Sequence, residues 1–354
     1  MTNRSRVFPI HRGTNISHWL SQSRRRGTDR LGWFTEADVR RIADWGFDHI
    51  RLPIDEEQMW DEQGRQDPGA FELLDSALDW AEAAGLGVVV DLHILRSHSF
   101  GQATEPRLFT DPVEGEKFAG LWRELSARLG HRSNDRVAYE LMNEAVAKDP
   151  EDWNRVAMQA YRAIRVLEPE RVIVLGSNQW NSAFTFDSLT IPDDPNTVLT
   201  FHFYHPMFVT HHRASWSVEG RMYDGPVRYP GSPIAPDNLH LVRPPEAHRL
   251  VVANLDDLNK PYDRSSMARD FAQPLVVSRK SGHQLYCGEF GVVDYVPMDV
   301  RSAWYRDIIS VFDEFGIGWA NWDYKGQFGI VDYKGMSTGI AEVMLESAME
   351  KPAL

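Results

Sequence analysis

The sequence predicts an α/β protein that folds as a single (β/α)8 (TIM) barrel with a long insertion after strand six. Short apolar runs rich in β-branched residues alternate with helical patterns along nearly the whole chain. Eight such runs are present, and no shift in composition marks a second domain. We therefore expect one domain over residues 1–354. A doubly wound sheet is the structural alternative, but it gives no reason for eight strands.

The third predicted strand, Leu86–His93, carries a continuous apolar run, which is typical of a parallel strand that is buried on both faces. Eight strands are predicted in all. In chain order they are Val7–Asn15, Phe47–Pro53, Leu86–His93, Val137–Asn143, Arg171–Gly176, Thr197–Tyr204, Gln284–Phe290 and Gly318–Asp323.

Helical periodicity separates most of these strands. In the first predicted helix, Thr35 can cap the amino end and Gly46 can end the helix. The early acidic residues Glu36 and Asp38 suit the positive end of the helix dipole. The predicted helices are Thr35–Trp45, Phe71–Ala84, Pro112–Gly130, Asp152–Leu167, Ser265–Ser281, Val300–Phe315 and Ser337–Glu350.

The alternation breaks once, over residues 206–263. This segment is rich in Pro, aromatic, His and Arg residues and shows little periodicity. A structureless segment of this length inside a compact domain is usually functional. We expect an insertion at the carboxyl face of the barrel that acts as a lid or shapes the substrate site. A decorative excursion or an oligomer contact is the alternative.

Composition narrows the classes of function. The chain is 42% hydrophobic, which excludes a wholly disordered protein. Its 38 Lys and Arg residues against 51 Asp and Glu residues give a net charge of −13. This charge argues against nucleic acid or an anionic membrane as the main partner and favours a neutral or cationic ligand.

Cysteine usage and the amino terminus bear on the compartment. Cys287 is the single cysteine, so an intramolecular disulfide is excluded. No apolar run of signal-peptide length follows the basic residues 1–6, and no segment resembles a membrane span. We expect a cytoplasmic protein, or a secreted one if a leader has been trimmed from the chain.

Polar residues at or just past the predicted strands are the first candidates for a site, because barrel enzymes place their chemistry at the carboxyl ends of strands. A buried acid in such a place needs a partner or a function. These residues are Asn15, Arg51, His93, Asn143, Glu144, Asn178, His202, Tyr204, Glu289, Trp322 and Asp323.

Two of these candidates are carboxylates, Glu144 after strand four and Glu289 on strand seven. Barrel closure brings the ends of those strands to opposite sides of one cleft. A pair of carboxylates across a cleft is what glycoside hydrolysis requires. For either glutamate alone, a strand-end acid paired with an arginine is the structural alternative.

On these residues the sequence resembles glycoside hydrolase family 5, the cellulase-type retaining β-glycosidases of clan A. The resemblance runs from Asn15 in Arg-Gly-Thr-Asn-Ile to Asp332 in Phe-Gly-Ile-Val-Asp, and its specificity comes from the ordered set rather than any single motif. The matching positions are Arg51 in Ile-Arg-Leu-Pro, His93 in Asp-Leu-His, Asn143 with Glu144, His202 and Tyr204 in His-Phe-Tyr, Glu289 in Gly-Glu-Phe-Gly, and Trp322.

The resemblance implies that Glu144 is the acid/base and that Glu289 is the nucleophile. Arg51 and Tyr204 would keep Glu289 ionised, by opposite charge and by a hydrogen bond. Asn143 would donate to the 2-hydroxyl of the sugar. The resemblance implies a carbohydrate substrate, with no cofactor and no metal.

Other residues would shape the sugar site. His93 and His202 would bind hydroxyls or orient the carboxylates, and Trp322 would offer an apolar face to the sugar. Further contacts are expected from residues near the strand ends. They are His18 and Trp19 after strand one, Trp180 after strand five and, more weakly, His211 after strand six.

Two departures from the family pattern put the identity of the sugar in doubt. Many members have a second histidine where this chain has Ile94, and His18 stands where the most similar members often have asparagine. The default substrate is a β-1,4-linked glucan or its oligosaccharides, cleaved internally. An exo-acting β-glucosidase or oligosaccharidase and a β-mannanase are alternatives with the same catalytic residues.

The sequence also offers alternatives from other classes of function. His202, His205, His211 and His212 could suggest a metal-dependent amidohydrolase, but no His-x-His follows strand one. Cys287 lies on an apolar strand and is better explained by packing than as a nucleophile. The chain could also be a carbohydrate-binding pseudoenzyme, although both glutamates are present. Oligomeric state cannot be read from the sequence.

Overall fold

The computed structural model describes residues 8–243 and 255–349. Eight parallel strands form a closed barrel in chain order, and the last strand pairs with the first. This confirms the predicted (β/α)8 class. The strands are β1 Arg12–Asn15, β2 His49–Asp55, β3 Gly87–Ile94, β4 Val137–Glu140, β5 Val172–Gly176, β6 Thr197–Phe203, β7 Gln284–Phe290 and β8 Gly318–Asn321.

Four strands differ from the prediction by two residues or more at an end. β4 ends at Glu140 and β8 at Asn321, where Asn143 and Asp323 were predicted. β1 begins at Arg12, and the predicted start at Val7 lies outside the described residues. β2 continues beyond the predicted end to Asp55, so Arg51 lies within the strand and not at its end. The placement of Arg51 at a strand end was therefore wrong.

Helices alternate with these strands along the chain. Those of seven residues or more in the described chain are α1 Glu36–Trp45, α2 Pro68–Ala83, α3 Pro112–Leu129, α4 Pro150–Leu167, α5 Arg264–Asp270, α6 Ala272–Ser281, α7 Met298–Phe315 and α8 Ile340–Met349. The helix predicted over Ser265–Ser281 forms as two helices, α5 and α6. The predicted end of the last helix, Glu350, lies outside the described residues.

Local sequence explains where helices begin. Thr35 and Asp38 form the capping box of α1, and Gly46 ends that helix at φ 97°, as predicted. An Asp-Pro pair begins each of the next three helices, with the aspartate accepting a backbone N–H and the proline in the first turn. The pairs are Asp67-Pro68, Asp111-Pro112 and Asp149-Pro150.

No long helix follows β5 in the described chain, although a barrel of eight alternating strands and helices would have one there. After β5 the chain makes a left-handed turn at Gln179, Trp180 and Asn181, followed by a 3-10 helix over Ala183–Ser188. Polar side chains here donate hydrogen bonds to nearby backbone carbonyls. Thr185 Oγ1, for example, donates to the carbonyl of Asn178 at 2.7 Å. Such bonds compete with a helix.

The insertion over residues 206–263 is not structureless where it is described. It contains three short helices and one 3-10 helix, and residues 244–254 lie outside the description. These elements are Met207–Thr210, Val218–Met222, Leu255–Leu258 and the 3-10 helix Pro236–Leu241.

The chain divides into two compact units. The described parts of Met1–His202, Gln273–Glu289 and Ile317–Asn321 form the barrel unit. Buried side chains from its strands, including Val89, Val174 and Tyr286, make a common core. A single domain over the whole chain stays a prediction.

The remaining described residues, within Phe203–Ala272, Phe290–Gly316 and Trp322–Leu354, form the second unit. Its core includes Phe271 and Phe312, whose rings stack at 5.6 Å. Within the described chain, no helix combines the length and the apolar character that a membrane span needs.

Candidate active site

A buried polar cluster lies among the strands of the barrel unit, and strand register builds it. β1 and β2 pair Asn15 with Arg51, and β3 and β4 pair Asp91 with Glu140. All four side chains are fully buried. Buried polar groups in such a place need partners, and they find them in one another.

Arg51 is the centre of this cluster. Its Nε and Nη2 donate to the two carboxylate oxygens of Glu140 at 2.7 and 2.9 Å. Nη2 also lies 3.0 Å from Asp91 Oδ2, and Nη1 donates to Glu289 Oε1 at 2.8 Å. Burial opposes the charge of Arg51, but the carboxylates outweigh it and hold its pKa well above the usual value. The guanidinium is therefore always charged.

One guanidinium does not compensate three buried carboxyl groups. Burial raises the pKa of Asp91 to about 7 and that of Glu140 to about 7, although Arg51 acts in the opposite direction on both. Arg51 contacts Glu289 through a separate nitrogen and favours its ionised form. The predicted pairing of Arg51 with Glu289 is present in the structure.

Glu144 and Glu289 come together around His202. One potential ligand atom from each of the three residues lies within 4.8 Å of the other two. His202 Nδ1 lies 3.0 Å from Glu144 Oε1 and 3.6 Å from Glu289 Oε2. Asn181 Nδ2 lies 3.3 Å from His202 Nε2 and can donate to it, which leaves the proton on Nδ1. His202 is thus within hydrogen-bond distance of Glu144 and close to Glu289, which is compatible with the expected role of orienting the carboxylates.

The environments of the two glutamates differ. Glu144 follows β4 with φ 48°, and its side chain is 12% exposed. Burial, and then the charge of Glu289, raise the pKa of Glu144 well above the ordinary range. Burial lowers the pKa of His202 well below its ordinary value, so the imidazole between them is neutral. The site thus holds a proton donor and an anion close together, as acid and nucleophile chemistry requires.

The glycine before Glu289 is explained by close packing. A Cβ at Gly288 would lie 2.9 Å from Thr200 Oγ1 and 3.2 Å from His202 Nε2. Only glycine leaves room there for the His202 ring. Asn15 Nδ2 fixes the same stretch of β7 by donating to the Gly288 carbonyl at 2.9 Å.

Asn143 and His93 border the carboxyl pair. Asn143 Oδ1 accepts from Arg51 at 3.0 Å, and its buried Nδ2 has no partner among residues 8–243 and 255–349. His93 Nδ1 lies 2.6 Å from Asp91 Oδ2, and burial lowers the pKa of His93 to about 4. Asn143 thus has a donor available for a ligand, and His93 is a neutral imidazole.

The residues predicted to contact sugar outside this cluster differ in their burial. Trp180 is 50% exposed, and its indole N–H donates to the Phe100 carbonyl at 2.9 Å, so its ring can face a ligand. His18 is half-buried in the loop after β1. Trp19 is fully buried and donates to the Arg30 carbonyl at 2.9 Å. The prediction that Trp19 contacts sugar was wrong, because its ring is packed in the core.

Tyr204, His211 and Trp322 belong to the second unit. There the Tyr204 and His211 rings lie 4.9 Å apart, and each contacts the Phe328 ring. Trp322 is 7% exposed, and its backbone N–H donates to the Phe290 carbonyl at 2.8 Å. Their roles toward a sugar stay predictions.

Sequence reasoning missed four residues of the cluster. Asp91 and Glu140 each stand as a single acid inside an apolar strand, and that signal could have found them. Gln22 Nε2 lies 2.8 Å from His93 Nε2, and Asn181 contacts His202. No local pattern marks these two amides, since both lie in loops with left-handed backbone.

One group of potential metal ligands is present in the described chain, formed by Glu144, His202 and Glu289. Two carboxylates and an imidazole are a donor set that divalent cations accept. Arg51 lies 2.8 Å from Glu289, however, and its positive charge opposes the binding of a cation at the same place.

Comparison with known proteins agrees with this arrangement. Residues 11–327 match the family described as Cellulase (glycosyl hydrolase family 5). Endoglucanase C of Acetivibrio thermocellus is 33% identical over 88% of this chain and 90% of its own length. Cellodextrinase A of Ruminococcus flavefaciens is 32% identical over 87% of this chain and 83% of its own.

The chain belongs to glycosyl hydrolase family 5.

The resemblance seen in the sequence is thus confirmed, and this family 5 protein is a cellulase-like glycosyl hydrolase that acts on carbohydrate. Solved structures support the fold. Cel5A of Thermotoga maritima, solved with cellobiose, superposes with a TM-score of 0.75 at 22% identity over 95% of this chain and 97% of that one. At this identity the likeness concerns the barrel alone.

Proposed function

We propose that this family 5 protein is a retaining β-glycosidase that hydrolyses β-glucan-type oligo- or polysaccharides, with Glu289 as nucleophile and Glu144 as acid/base. One observation carries the proposal: carboxyl oxygens of Glu144 and Glu289 lie within 4.8 Å of each other. Retaining enzymes hold their carboxyl groups about 5–5.5 Å apart, whereas inverting enzymes leave room for a water between them.

The first step forms a covalent intermediate. Glu289 attacks the anomeric carbon while Glu144 donates its proton to the departing glycosidic oxygen, so the C–O bond to the leaving group breaks as the bond to Glu289 forms. Arg51, 2.8 Å from Glu289, holds the attacking carboxylate ionised. The unpartnered Nδ2 of Asn143 is the donor for the 2-hydroxyl.

The second step reverses the role of Glu144. Once Glu289 is an ester, its negative charge is gone, and with it one cause of the raised pKa of Glu144. Glu144 can then take a proton from water, whose oxygen attacks the anomeric carbon and releases Glu289. Two inversions give a product of retained configuration.

Substitution of the two glutamates tests these roles. Glu289→Gln is expected to lose activity on all glycosides, since the amide cannot attack. Glu144→Ala is expected to retain far more activity on aryl glycosides with good leaving groups than on natural saccharides, because those leaving groups need no proton. Glu116→Gln, an exposed acid on α3, is the control. Near-wild-type turnover by Glu289→Gln, or an inverted first product by NMR, would contradict the proposal.

The substrate class rests on relatives. Endoglucanase C and Cellodextrinase A both align over more than four-fifths of this chain. The second name points to short β-glucan chains for this protein as well. Products from a labelled series of β-1,4-gluco-oligosaccharides separate internal from terminal cleavage, and a parallel β-mannan series tests the mannanase alternative. A wild-type protein that binds these sugars without turnover would be the pseudoenzyme.

A further inference from the structure

The Gln22 side chain contacts the outer nitrogen of His93, at 2.8 Å between the two Nε2 atoms. Asp91 lies 2.6 Å from the inner nitrogen of His93 and 3.0 Å from Arg51. Asp91 Oδ2 also accepts from Arg51, so in the ionised form of Asp91 His93 Nδ1 carries the proton and Nε2 accepts from the Gln22 amide. His93 therefore presents no free N–H to a ligand.

The backbone of Gln22 is held in an unusual conformation. Its φ is 47°, in the left-handed region that glutamine rarely adopts. The buried carboxylate of Asp55, at the end of β2, accepts the Gln22 N–H at 2.7 Å. The Asp55 N–H in turn donates to the Leu20 carbonyl at 2.9 Å. Two hydrogen bonds to β2 thus fix the loop, and strain held in this way points to a placed side chain.

The Gln22 side chain keeps most of its hydrogen-bonding capacity. Its second N–H and its carbonyl oxygen have no hydrogen-bond partner in the part of the chain that the structure describes, and the residue is half-buried. A chain of short contacts, His93 to Asp91 to Arg51 to Glu289, ties this amide to the carboxylate proposed as nucleophile. A carboxamide can donate to one hydroxyl and accept from its neighbour.

We propose that Gln22 is a substrate-binding and specificity-determining residue, which reads a hydroxyl of the sugar whose anomeric carbon Glu289 attacks. His93 and Asp55 are positioning residues that hold the Gln22 side chain and backbone. The inference rests on the proposed function, because it needs that sugar to be bound beside Glu289. It assigns direct sugar contact to Gln22 in place of His93.

A mutant cycle between enzyme and substrate tests this assignment. The substrates are an aryl β-cellobioside and analogues that each lack one hydroxyl, other than the 2-hydroxyl, on the ring that bears the aryl group. With the wild type, one analogue is expected to lose about tenfold in kcat/KM, the effect of one net hydrogen bond. Gln22→Ala is expected to lose a similar factor on the parent glycoside and nothing further on that analogue.

Two further variants separate contact from folding. Gln22→Asn tolerates the left-handed backbone but withdraws the amide by one methylene, so it is expected to fold normally and to lose the same discrimination. Gln63→Ala, at an exposed glutamine, is expected to behave as the wild type on every analogue. Equal losses for Gln22→Ala on the parent and on all analogues would show that Gln22 only positions His93, which overturns the assignment.

The outcomes also distinguish this inference from the function on which it rests. A wild type inactive on all of these glycosides, or a fully active Glu289→Gln, contradicts the proposed function. An active, Glu289-dependent wild type that tolerates every hydroxyl deletion equally well contradicts only the role of Gln22.

Discussion

At the scale of single residues, Glu144 depends on Glu289 for part of its raised pKa. Burial is the larger cause and the charge of Glu289 the second. We expect Glu289→Gln to lower the pKa of Glu144 while leaving it above the ordinary value, because burial remains. NMR titration of carboxyl-labelled protein measures this shift directly. An unchanged pKa would mean that the two carboxyl groups do not interact.

The same pKa sets the alkaline limb of activity. Glu144 works as an acid in its protonated form, so a raised pKa extends activity toward higher pH, and kcat/KM falls as pH rises through that pKa. We expect the limb on natural oligosaccharides and expect it to be absent for Glu144→Ala on an activated aryl glycoside. A limb that persists in that variant would belong to another group.

Arg51 also controls stability, because it is the counter-ion of three buried carboxyl groups. Removing one partner of a buried ion pair costs about 3–5 kcal/mol. We expect Arg51→Met to destabilise the fold by at least this much near neutral pH, measured by denaturant unfolding. Arg51→Lys keeps the charge but loses the forked contact to Glu140. Its free energy of unfolding should therefore lie between those of the wild type and Arg51→Met.

The pH dependence of that loss has a definite sign. Asp91 and Glu140 have pKa values of about 7 in the folded state, above their ordinary values, so the native protein binds more protons than the unfolded chain between about pH 4 and 7. Stability from these groups therefore falls as pH rises through that window. Without Arg51 their ionisation is more costly, so the gap between variant and wild type should widen with pH. A constant gap would contradict this account.

At the scale of elements, the sequence predicted the features that depend on residues close together along the chain. The Thr35 capping box and the strand runs need only neighbours along the chain. Register does not follow from such patterns: Arg51 meets Glu140 across 89 residues, through two strand pairs. Burial is equally non-local. Trp19 and Trp180 have similar sequence settings, yet Trp19 packs against Phe34 at 5.3 Å while Trp180 is half exposed.

The loop after β5 yields a prediction about chain length of the substrate. Trp180 is 50% exposed and anchored through its indole nitrogen, with left-handed backbone on either side. We expect Trp180→Ala to raise KM for long oligosaccharides about tenfold, since the stacking surface for a distant sugar is lost. The melting temperature and the kcat on a short aryl glycoside should change little. An equal loss on short and long substrates would place Trp180 elsewhere in the mechanism.

At the scale of the whole molecule, the ordered set of site residues identified the family although each motif alone is weak. The order of these residues along the chain is specific, because consecutive strands are neighbours in the barrel. Sequence order therefore fixes where each strand end lies around it. The division into two compact units has no such signature. The insertion over residues 206–263 lacks periodicity, and neither its short helices nor its membership in the second unit could be derived from composition.

The division nevertheless predicts how the molecule unfolds. The chain passes between the units five times, at 202/203, 272/273, 289/290, 316/317 and 321/322, so neither unit is a continuous segment. β6 and β7 each carry their last residue, Phe203 and Phe290, across a boundary. A discontinuous unit cannot complete its core until the other segments are in place, so we expect one cooperative transition. Calorimetry should give equal calorimetric and van't Hoff enthalpies. Two resolved transitions, or a stable fragment after limited proteolysis within residues 206–263, would show instead that the units fold independently.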